Sequence, residues 1–253
     1  MPSEAAATAK GVVILGATSA VARAVAIEFG RAGYHVVLGA RDLDENEAVA
    51  TDLRVRCNVE ADALPFEAED CAGHRAFFDA CLERLGDRLE GVVVCFGFMD
   101  DQAKAQEDFA VARRTIDVNY TVAVSILEIF AGHFEQRGGG FIAVLSSVAG
   151  DRGKQGNYIY GSAKAGLTAY LEGLRNRLFR SKVAVTTIKP GFMDTKMTFG
   201  MDLRGAMTPE AAGKAIFAAI KKRKNVAYIP WPWRYIMLII RHIPEAIFKR
   251  MKM

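Results

Sequence analysis

The chain has 253 residues, 51% of them hydrophobic and 25% charged, which is the composition of a folded globular protein with room for one large core. The net charge of +4 is mild, and no basic run is interleaved with aromatic residues, which argues against nucleic-acid binding. The four cysteines show neither CxxC nor metal-ligand spacing, so we expect reduced thiols, no metal site and a cytoplasmic protein.

The N-terminus lacks the basic and apolar regions of a signal peptide, and no uncharged apolar run approaches the ~20 residues that span a bilayer. Further along, short Val- and Ile-rich runs alternate with amphipathic stretches, which predicts a parallel sheet with helices on both faces, one doubly wound domain. The predicted strands are 12–15, 36–38, 63–66, 92–96, 141–145, 183–188 and 226–229. The predicted helices are 20–32, 44–55, 73–85, 103–136, 157–180 and 209–222.

A glycine-led turn, Gly16-Ala-Thr-Ser-Ala20-Val-Ala22, follows the first predicted strand directly and opens the first helix. Dinucleotide-binding folds place such a turn there, so that phosphates can approach the backbone N–H groups at the helix start. Here alanines occupy the other two glycine positions. An ordinary tight turn remains the alternative interpretation.

The second predicted strand ends at Ala40 and is followed by Arg41. An acidic residue at this end would bind the adenosine ribose hydroxyls and favour NAD. Alanine followed by a cation, which can pair with a 2′-phosphate, favours NADP. Asp42 weakens the positive potential, and an ordinary surface arginine is the alternative.

Tyr160 and Lys164 lie four residues apart in a predicted helix, so their side chains share one face. A tyrosine of pKa near ~10 is poorly matched to neutral pH, and a nearby lysine cation is expected to lower that pKa. The pair could then exchange a proton with a substrate. A solvated pair without function is the alternative.

Together these motifs resemble the short-chain dehydrogenase/reductase family over residues 10–225. The resemblance rests on the Gly16 turn, Asn119 in DVNYT, Ser147 in LSSVAG, the Tyr160/Lys164 pair and KPGFMDT at 189–195. Ser147 lies 13 residues before Tyr160, as is usual in the family. Two departures are the alanines of the first turn and the stretch 94–97, Val-Cys-Phe-Gly, in place of Asn-Asn-Ala-Gly. The second is expected to touch no catalytic group.

The resemblance implies a Rossmann-type fold and a nicotinamide-dependent enzyme with four catalytic residues. Tyr160 would be the acid, Lys164 would also hold the nicotinamide ribose, Ser147 would bind the substrate oxygen, and Asn119 would position a water that links Lys164 to solvent. Tyr158 is a rival acid, set aside because its partner four residues on is Ser162. The implied NADP(H) contacts are Gly16, Thr18, Ser19, Ala20, Val21, Arg41, Glu67, Phe96, Gly97, Tyr160, Lys164, Pro190, Gly191, Met193 and Thr195.

The chain ends in an amphipathic stretch, so we divide it into a disordered tail (1–9), a catalytic domain (10–228) and a C-terminal segment (229–253). Pro244 is expected to split that segment into two short helices. Tryptophans and a basic face suggest a peripheral membrane contact through 231–253, and packing on the body or on a partner subunit is the alternative. The expected apolar face is Ile236, Ile240, Ile243, Ile247 and Met251, opposite Arg234, Arg241, Glu245, Lys249 and Lys252.

Four stretches, CFGFMDD, VNYTVAVS, YGSAKAGL and RYIMLIIRHIPEAIFKRM, resemble a narrower group, the reductase component of decaprenylphosphoryl-ribose 2′-epimerase systems. That resemblance implies reduction of the 2-keto group of a polyprenylphosphoryl-pentose, a flavin oxidase partner, and a location at the inner face of the membrane. The family also forms homodimers and homotetramers, through the helices at 103–136 and 157–180. A soluble reductase of small ketones or 3-oxoacyl substrates and a non-catalytic nucleotide-binding module are the alternatives.

Overall fold

A computed structural model describes residues 9–194 and 206–251. The predicted N-terminal tail, apart from residue 9, the expected cofactor contact Thr195 and the cation Lys252 lie outside these residues.

Within the described residues, the strands form one parallel sheet in the order β3-β2-β1-β4-β5-β6-β7. The chain first winds outward from β1 to β3 and then restarts beside β1 at β4, so a crevice opens beyond the carboxyl ends of β1 and β4, where such folds bind ligands. The strands are β1 Gly11–Leu15, β2 His35–Ala40, β3 Ala61–Pro65, β4 Leu89–Val94, β5 Gly140–Leu145, β6 Val183–Pro190 and β7 Val226–Ile229. This is the predicted doubly wound, Rossmann-type α/β fold.

Helices cover both faces of the sheet. One buried core includes Phe29, Leu53 and Ile216 from the helices on one face, and the other includes Phe130 and Leu171. The helices are α1 Ala20–Arg31, α2 Leu43–Cys57, α3 His74–Leu85, α4 Gln102–Glu107, α5 Phe109–Ile116, α6 Val122–Arg137, α7 Tyr158–Leu178, α8 Pro209–Lys221, α9 Trp233–His242 and α10 Glu245–Phe248.

The single helix predicted over 103–136 is wrong in its continuity. Asp108 ends α4 and caps α5, because its side chain accepts a hydrogen bond from the Ala110 amide at 2.8 Å. A π-helical turn, Asp117–Thr121, then separates α5 from α6. Such turns are frequent at functional sites, and this one carries Asn119.

The stretch Phe109–Arg137 is long and apolar enough, by length and composition alone, to cross a membrane, although Asp117 and Glu128 interrupt it. In this fold, however, half of its most apolar window is buried. Phe130 and Phe134 have no exposed surface and pack against the sheet. In this fold the stretch therefore contributes to the hydrophobic core.

Candidate functional site

Gly16 adopts the left-handed conformation that the turn after β1 requires. Its φ is 76°, and its amide donates to the Gly39 carbonyl at 2.9 Å. A Cβ added here would lie 2.7 Å from the Phe96 nitrogen, at the end of the neighbouring strand β4. Only glycine fits this conformation and this close approach without strain.

The two alanines in the turn are accommodated without disturbing the start of α1. Ser19 caps the helix by accepting a hydrogen bond from the Ala22 amide at 3.2 Å. Ala22 is fully buried between helix and sheet, where the third glycine of the usual motif gives close packing, whereas Ala20 is exposed. The first amides of α1, including those of Ala20 and Val21, form the kind of helix start that binds phosphates.

Arg41 is exposed just after β2 and makes no ion pair with any described residue. Nearby Arg23, by contrast, is paired with Glu45. The Asp42 carboxylate is occupied as the cap of α2, where it accepts from the Glu45 amide at 2.9 Å. Arg41 therefore offers a positive charge at the carboxyl end of β2. In dinucleotide-binding folds, an arginine near this position accommodates the 2′-phosphate of NADP.

Three other expected cofactor contacts lie beyond the ends of β3 and β4. Glu67 is exposed and accepts a hydrogen bond from the Glu69 amide at 3.2 Å. The half-buried Phe96 ring lies 6.0 Å from that of Phe66, and Gly97 follows it. With Thr18 in the first turn, these residues are at the carboxyl edge of the sheet, where the resemblance requires them.

Ser147, Tyr160 and Lys164 meet at the carboxyl end of β5. Lys164 is only 3% exposed, and its ammonium donates to the Leu145 carbonyl at 3.0 Å. The Lys164 nitrogen lies 5.8 Å from the centre of the Tyr160 ring. Ser147 hydrogen-bonds to the Tyr160 side chain. Tyr158, the rival acid, is 44% exposed at the first residue of α7.

The expectation that Lys164 lowers the pKa of Tyr160 is wrong for this arrangement. Burial raises the pKa of Tyr160 to about 12, and the opposing influence is the hydrogen bond with Ser147. Burial also lowers the pKa of Lys164 to about 8, because a desolvated ammonium is disfavoured. At neutral pH the phenol keeps its proton and most of the Lys164 population remains charged.

The stretch at 94–97 influences the catalytic group electrostatically, through Cys95. Cys95 interacts electrostatically with Lys164: the lysine cation opposes the rise in the thiol's pKa that burial causes, to about 12. The thiol is thus neutral at physiological pH. Its position directly after β4, next to β5, is the sequence signal that could have revealed this electrostatic interaction.

Asn119 is buried in the π-helical turn, and its side chain joins two segments. The amide group donates to the Phe98 and Thr115 carbonyls, the latter at 2.8 Å. Its oxygen accepts from the Phe98 amide at 3.3 Å. Asn119 thereby joins the loop after β4 to α5.

The end of β6 and the residues after it pack against Trp233, the first residue of α9. Pro190 is buried, and a Cβ on Gly191 would lie 1.9 Å from the Trp233 indole nitrogen, so the first residue of α9 packs directly on this glycine. The Phe192 and Trp233 rings meet edge to face at 5.6 Å. Met193 follows and forms a bridge with Met207.

The C-terminal segment is split at Pro244 as predicted, and only part of its expected apolar face packs on the body. The residues that pack on the body are Met237 and Ile240, which contact Val148 one residue after Ser147. Trp233 packs on Gly191, and the remaining apolar side chains of α9 are exposed. Three residues of the expected face, Ile236, Ile247 and Met251, are exposed as well. The exposed set is Trp231, Tyr235, Ile236, Leu238, Ile239, Ile247 and Met251.

Comparison with known proteins assigns the family. A model described as short chain dehydrogenase matches residues 10–203. An uncharacterized oxidoreductase of Mycobacterium tuberculosis is 34% identical over 241 residues, covering 95% of this chain and 96% of the relative. An uncharacterized oxidoreductase of Streptomyces coelicolor is 31% identical and covers 99% of both chains. These descriptions name no substrate, so they do not support the narrower epimerase-reductase resemblance.

Solved structures agree with the fold. A short-chain dehydrogenase from Sphingobium yanoikuyae in complex with NADPH has a TM-score of 0.80 at 25% identity, covering 94% of this chain and 97% of its own. An alcohol dehydrogenase from Thermococcus sibiricus complexed with 5-hydroxy-NADP has a TM-score of 0.76 at 24% identity, covering 87% and 94%. The chain therefore belongs to the short-chain dehydrogenase family and is an NAD(P)-dependent oxidoreductase.

Proposed function

We propose that this enzyme reduces a ketone to an alcohol with NADPH, using Tyr160 as the proton donor. The observation that carries the proposal is the meeting of Ser147, Tyr160 and Lys164 at the carboxyl end of β5, where the buried Lys164 ammonium lies close to the Tyr160 ring. A phenol that keeps its proton at neutral pH is an acid, which is the form that reduction needs.

The proposed chemistry divides among four side chains. The cofactor, when bound, supplies a hydride to the carbonyl carbon. Ser147 orients the carbonyl oxygen by a hydrogen bond, and Tyr160 delivers its proton to that oxygen as negative charge develops there. The Lys164 ammonium stabilises the resulting phenolate, and Asn119 holds the surrounding segments and positions a water towards Lys164.

For the cofactor, we propose that the Gly16 turn and the amides at the start of α1 hold the phosphates. Glu67, Phe96 and Gly97 would face the adenosine half, and Tyr160 and Lys164 the nicotinamide ribose. The loop after β6 would lie under the nicotinamide, with Pro190, Gly191, Met193 and Thr195. The cradle at Gly16, which a Cβ would fill, fits a close-lying phosphate group.

Arg41 sets the proposed preference for NADPH. Replacing Arg41 with Ala should weaken NADPH binding by about 1–2 kcal/mol, roughly five- to thirtyfold, because a charge-assisted phosphate contact is lost at an exposed site. NADH binding should be unchanged. Fluorescence titration with both cofactors measures this, and Arg180→Ala, which removes an exposed arginine just after the end of α7, is the control. Equal weakening of NADPH and NADH would make Arg41 a structural residue.

For the substrate, we propose a ketone attached to a lipid, handled at the cytoplasmic face of a membrane. The supporting observation is the outward apolar surface of α9, next to exposed cations such as Arg234 and Arg241. The resemblance suggests the 2-keto group of a polyprenylphosphoryl-pentose, formed by a flavin oxidase partner. In this proposal residues 10–228 form the catalytic domain, and residues 229–253 dock it on the membrane. The enzyme is proposed to be a homodimer or a homotetramer. Reduction of a small soluble ketone is the second candidate.

The membrane contact predicts that Ile239→Glu releases the enzyme from vesicles that contain anionic lipid. Ile239 is 67% exposed, so the substitution removes apolar surface from the proposed contact without opening the core. Val55→Glu, at a position 78% exposed on α2, adds the same charge elsewhere and should leave vesicle binding intact. Co-sedimentation in low and high salt is the measurement, and salt should weaken binding of the parent. A parent enzyme that never sediments with vesicles would rule out this contact and favour the soluble ketone.

A further inference from the structure

A buried ion pair with β6 holds the turn that follows Ser147, Val148–Asp151. The Asp151 carboxylate lies 2.5 Å from the Lys189 ammonium and accepts a hydrogen bond from the Tyr228 hydroxyl at 2.7 Å. Both side chains of the ion pair are less than a tenth exposed. Lys189 and Tyr228 are register partners on β6 and β7, so Asp151 joins this turn to the far edge of the sheet.

The next residue, Arg152, holds the C-terminal helices. Its guanidinium donates to the carbonyls of Ile240 at 2.6 Å and Ile243 at 2.7 Å, with a longer contact to that of Arg241 at 3.3 Å. It also pairs with Glu245 at 3.0 Å. The last carbonyls of a helix have no intrahelical donor and carry partial negative charge, so Arg152 acts as the cap of α9.

Two further contacts complete the attachment. The Arg152 guanidinium lies 3.6 Å from the centre of the Phe248 ring in α10, and Val148 packs on Met237 and Ile240. Ser147 itself is tied to this turn, because its hydroxyl accepts from the Ala149 amide at 3.0 Å. Whatever moves the turn therefore moves the hydroxyl that contacts Tyr160.

We propose that Asp151 and Arg152 are positioning residues, through which the seating of α9 and α10 sets the orientation of Ser147. This inference rests on the proposed reductase function. It makes the C-terminal helices part of the catalytic arrangement as well as a candidate docking surface.

The direct test is Arg152→Ala, assayed on any ketone that the parent reduces. Its partner Glu245 is 76% exposed, so the substitution leaves no buried charge unpaired. We expect kcat to fall about tenfold or more, since a small displacement of a catalytic group can cost up to ~10²-fold. The affinity for NADPH should stay within about twofold of the parent. Arg152→Lys, which keeps the positive charge but on a single donor nitrogen, should restore part of kcat. Arg84→Ala, which removes an exposed arginine in the last turn of α3, is the control.

A second readout needs no cofactor. Amide hydrogen exchange at 148–152 should be faster in Arg152→Ala than in the parent. Tyr228→Phe removes one hydrogen bond from Asp151 and keeps the Lys189 ion pair. This variant should lower kcat more modestly, with little change in Tm. It tests the same inference if Arg152→Ala fails to fold.

Unchanged kcat and exchange in these variants would overturn the inference, as would parallel losses of kcat, NADPH affinity and Tm, which indicate a general structural effect. Ser147→Ala separates the two proposals. If Ser147→Ala is fully active, the proposed function fails. If Ser147→Ala is inactive while Arg152→Ala is fully active, only the positioning role fails.

Discussion

Replacing Tyr160 with Phe is expected to lower ketone reduction by at least ~10²-fold, because a positioned general acid contributes ~10²–10⁴-fold. The ring remains, so the packing around Lys164 and Ser147 is kept. NADPH affinity should stay within about twofold of the parent, because the substitution removes only the hydroxyl and keeps every other proposed cofactor contact. Steady-state NADPH consumption over a panel of alkyl, aryl and bicyclic ketones measures the rate, and fluorescence titration measures the affinity.

Tyr158→Phe is the matched control for this prediction. Tyr158 lies on the same helix two residues earlier, is 44% exposed, and loses the same single oxygen atom. Its activity should equal that of the parent. If instead Tyr158→Phe is the inactive variant and Tyr160→Phe retains more than a few per cent of the parental rate, the acid has been assigned to the wrong tyrosine.

Replacing Lys164 with Met is expected to damage both catalysis and cofactor binding, unlike Tyr160→Phe. The ammonium is buried and is proposed to serve the phenolate and the nicotinamide ribose at once. We expect kcat to fall at least ~10²-fold and NADPH affinity about tenfold. Methionine fills a similar volume without a desolvated charge, so Tm should be equal or higher. A large drop in Tm would instead show that the lysine is needed for folding.

The pH dependence of the parent follows from the same lysine. Burial lowers the pKa of Lys164 to about 8, so its charge, and the activity that depends on it, is present below that pH and lost as pH rises through it. The pKa of Tyr160 is raised to about 12, so the phenol stays protonated across this range. Reduction should therefore decline above pH ~8 with Lys164 as the titrating group. Persistence of the same decline in the residual activity of Lys164→Met would assign it to another group.

The fold was predictable from the sequence because its signals are local. Val- and Ile-rich runs mark strands buried on both faces, and the Gly16 turn directly after the first run marks the crevice. The Tyr160/Lys164 spacing likewise places two side chains on one helix face, and this inference needs no information about the rest of the fold. Where one local signal competed with another, prediction failed: Asp108 caps a new helix inside a stretch whose apolar pattern continues.

The remaining features of the site depend on contacts between distant parts of the chain. Arg152 and the carbonyl of Ile240 are 88 positions apart, and Lys189 and Asp151 are 38 apart. The direction of the Tyr160 pKa shift depends on how deeply the phenol is buried, which spacing alone does not reveal. The orientation of α9 is similar: its pattern shows that it is amphipathic, and packing against Val148 decides that Met237 faces inward.

The most direct test of the central claim uses NADPH deuterated at the transferable C4 position, with mass spectrometry of the alcohol product. The parent and Tyr158→Phe should each place one deuterium on the carbinol carbon of the product, and Tyr160→Phe should form almost no labelled alcohol while still binding NADPH. Labelled alcohol formed by Tyr160→Phe at the parental rate would contradict the account. A parent that binds NADPH yet labels neither a ketone of the panel nor a lipid-linked ketone would contradict it as well.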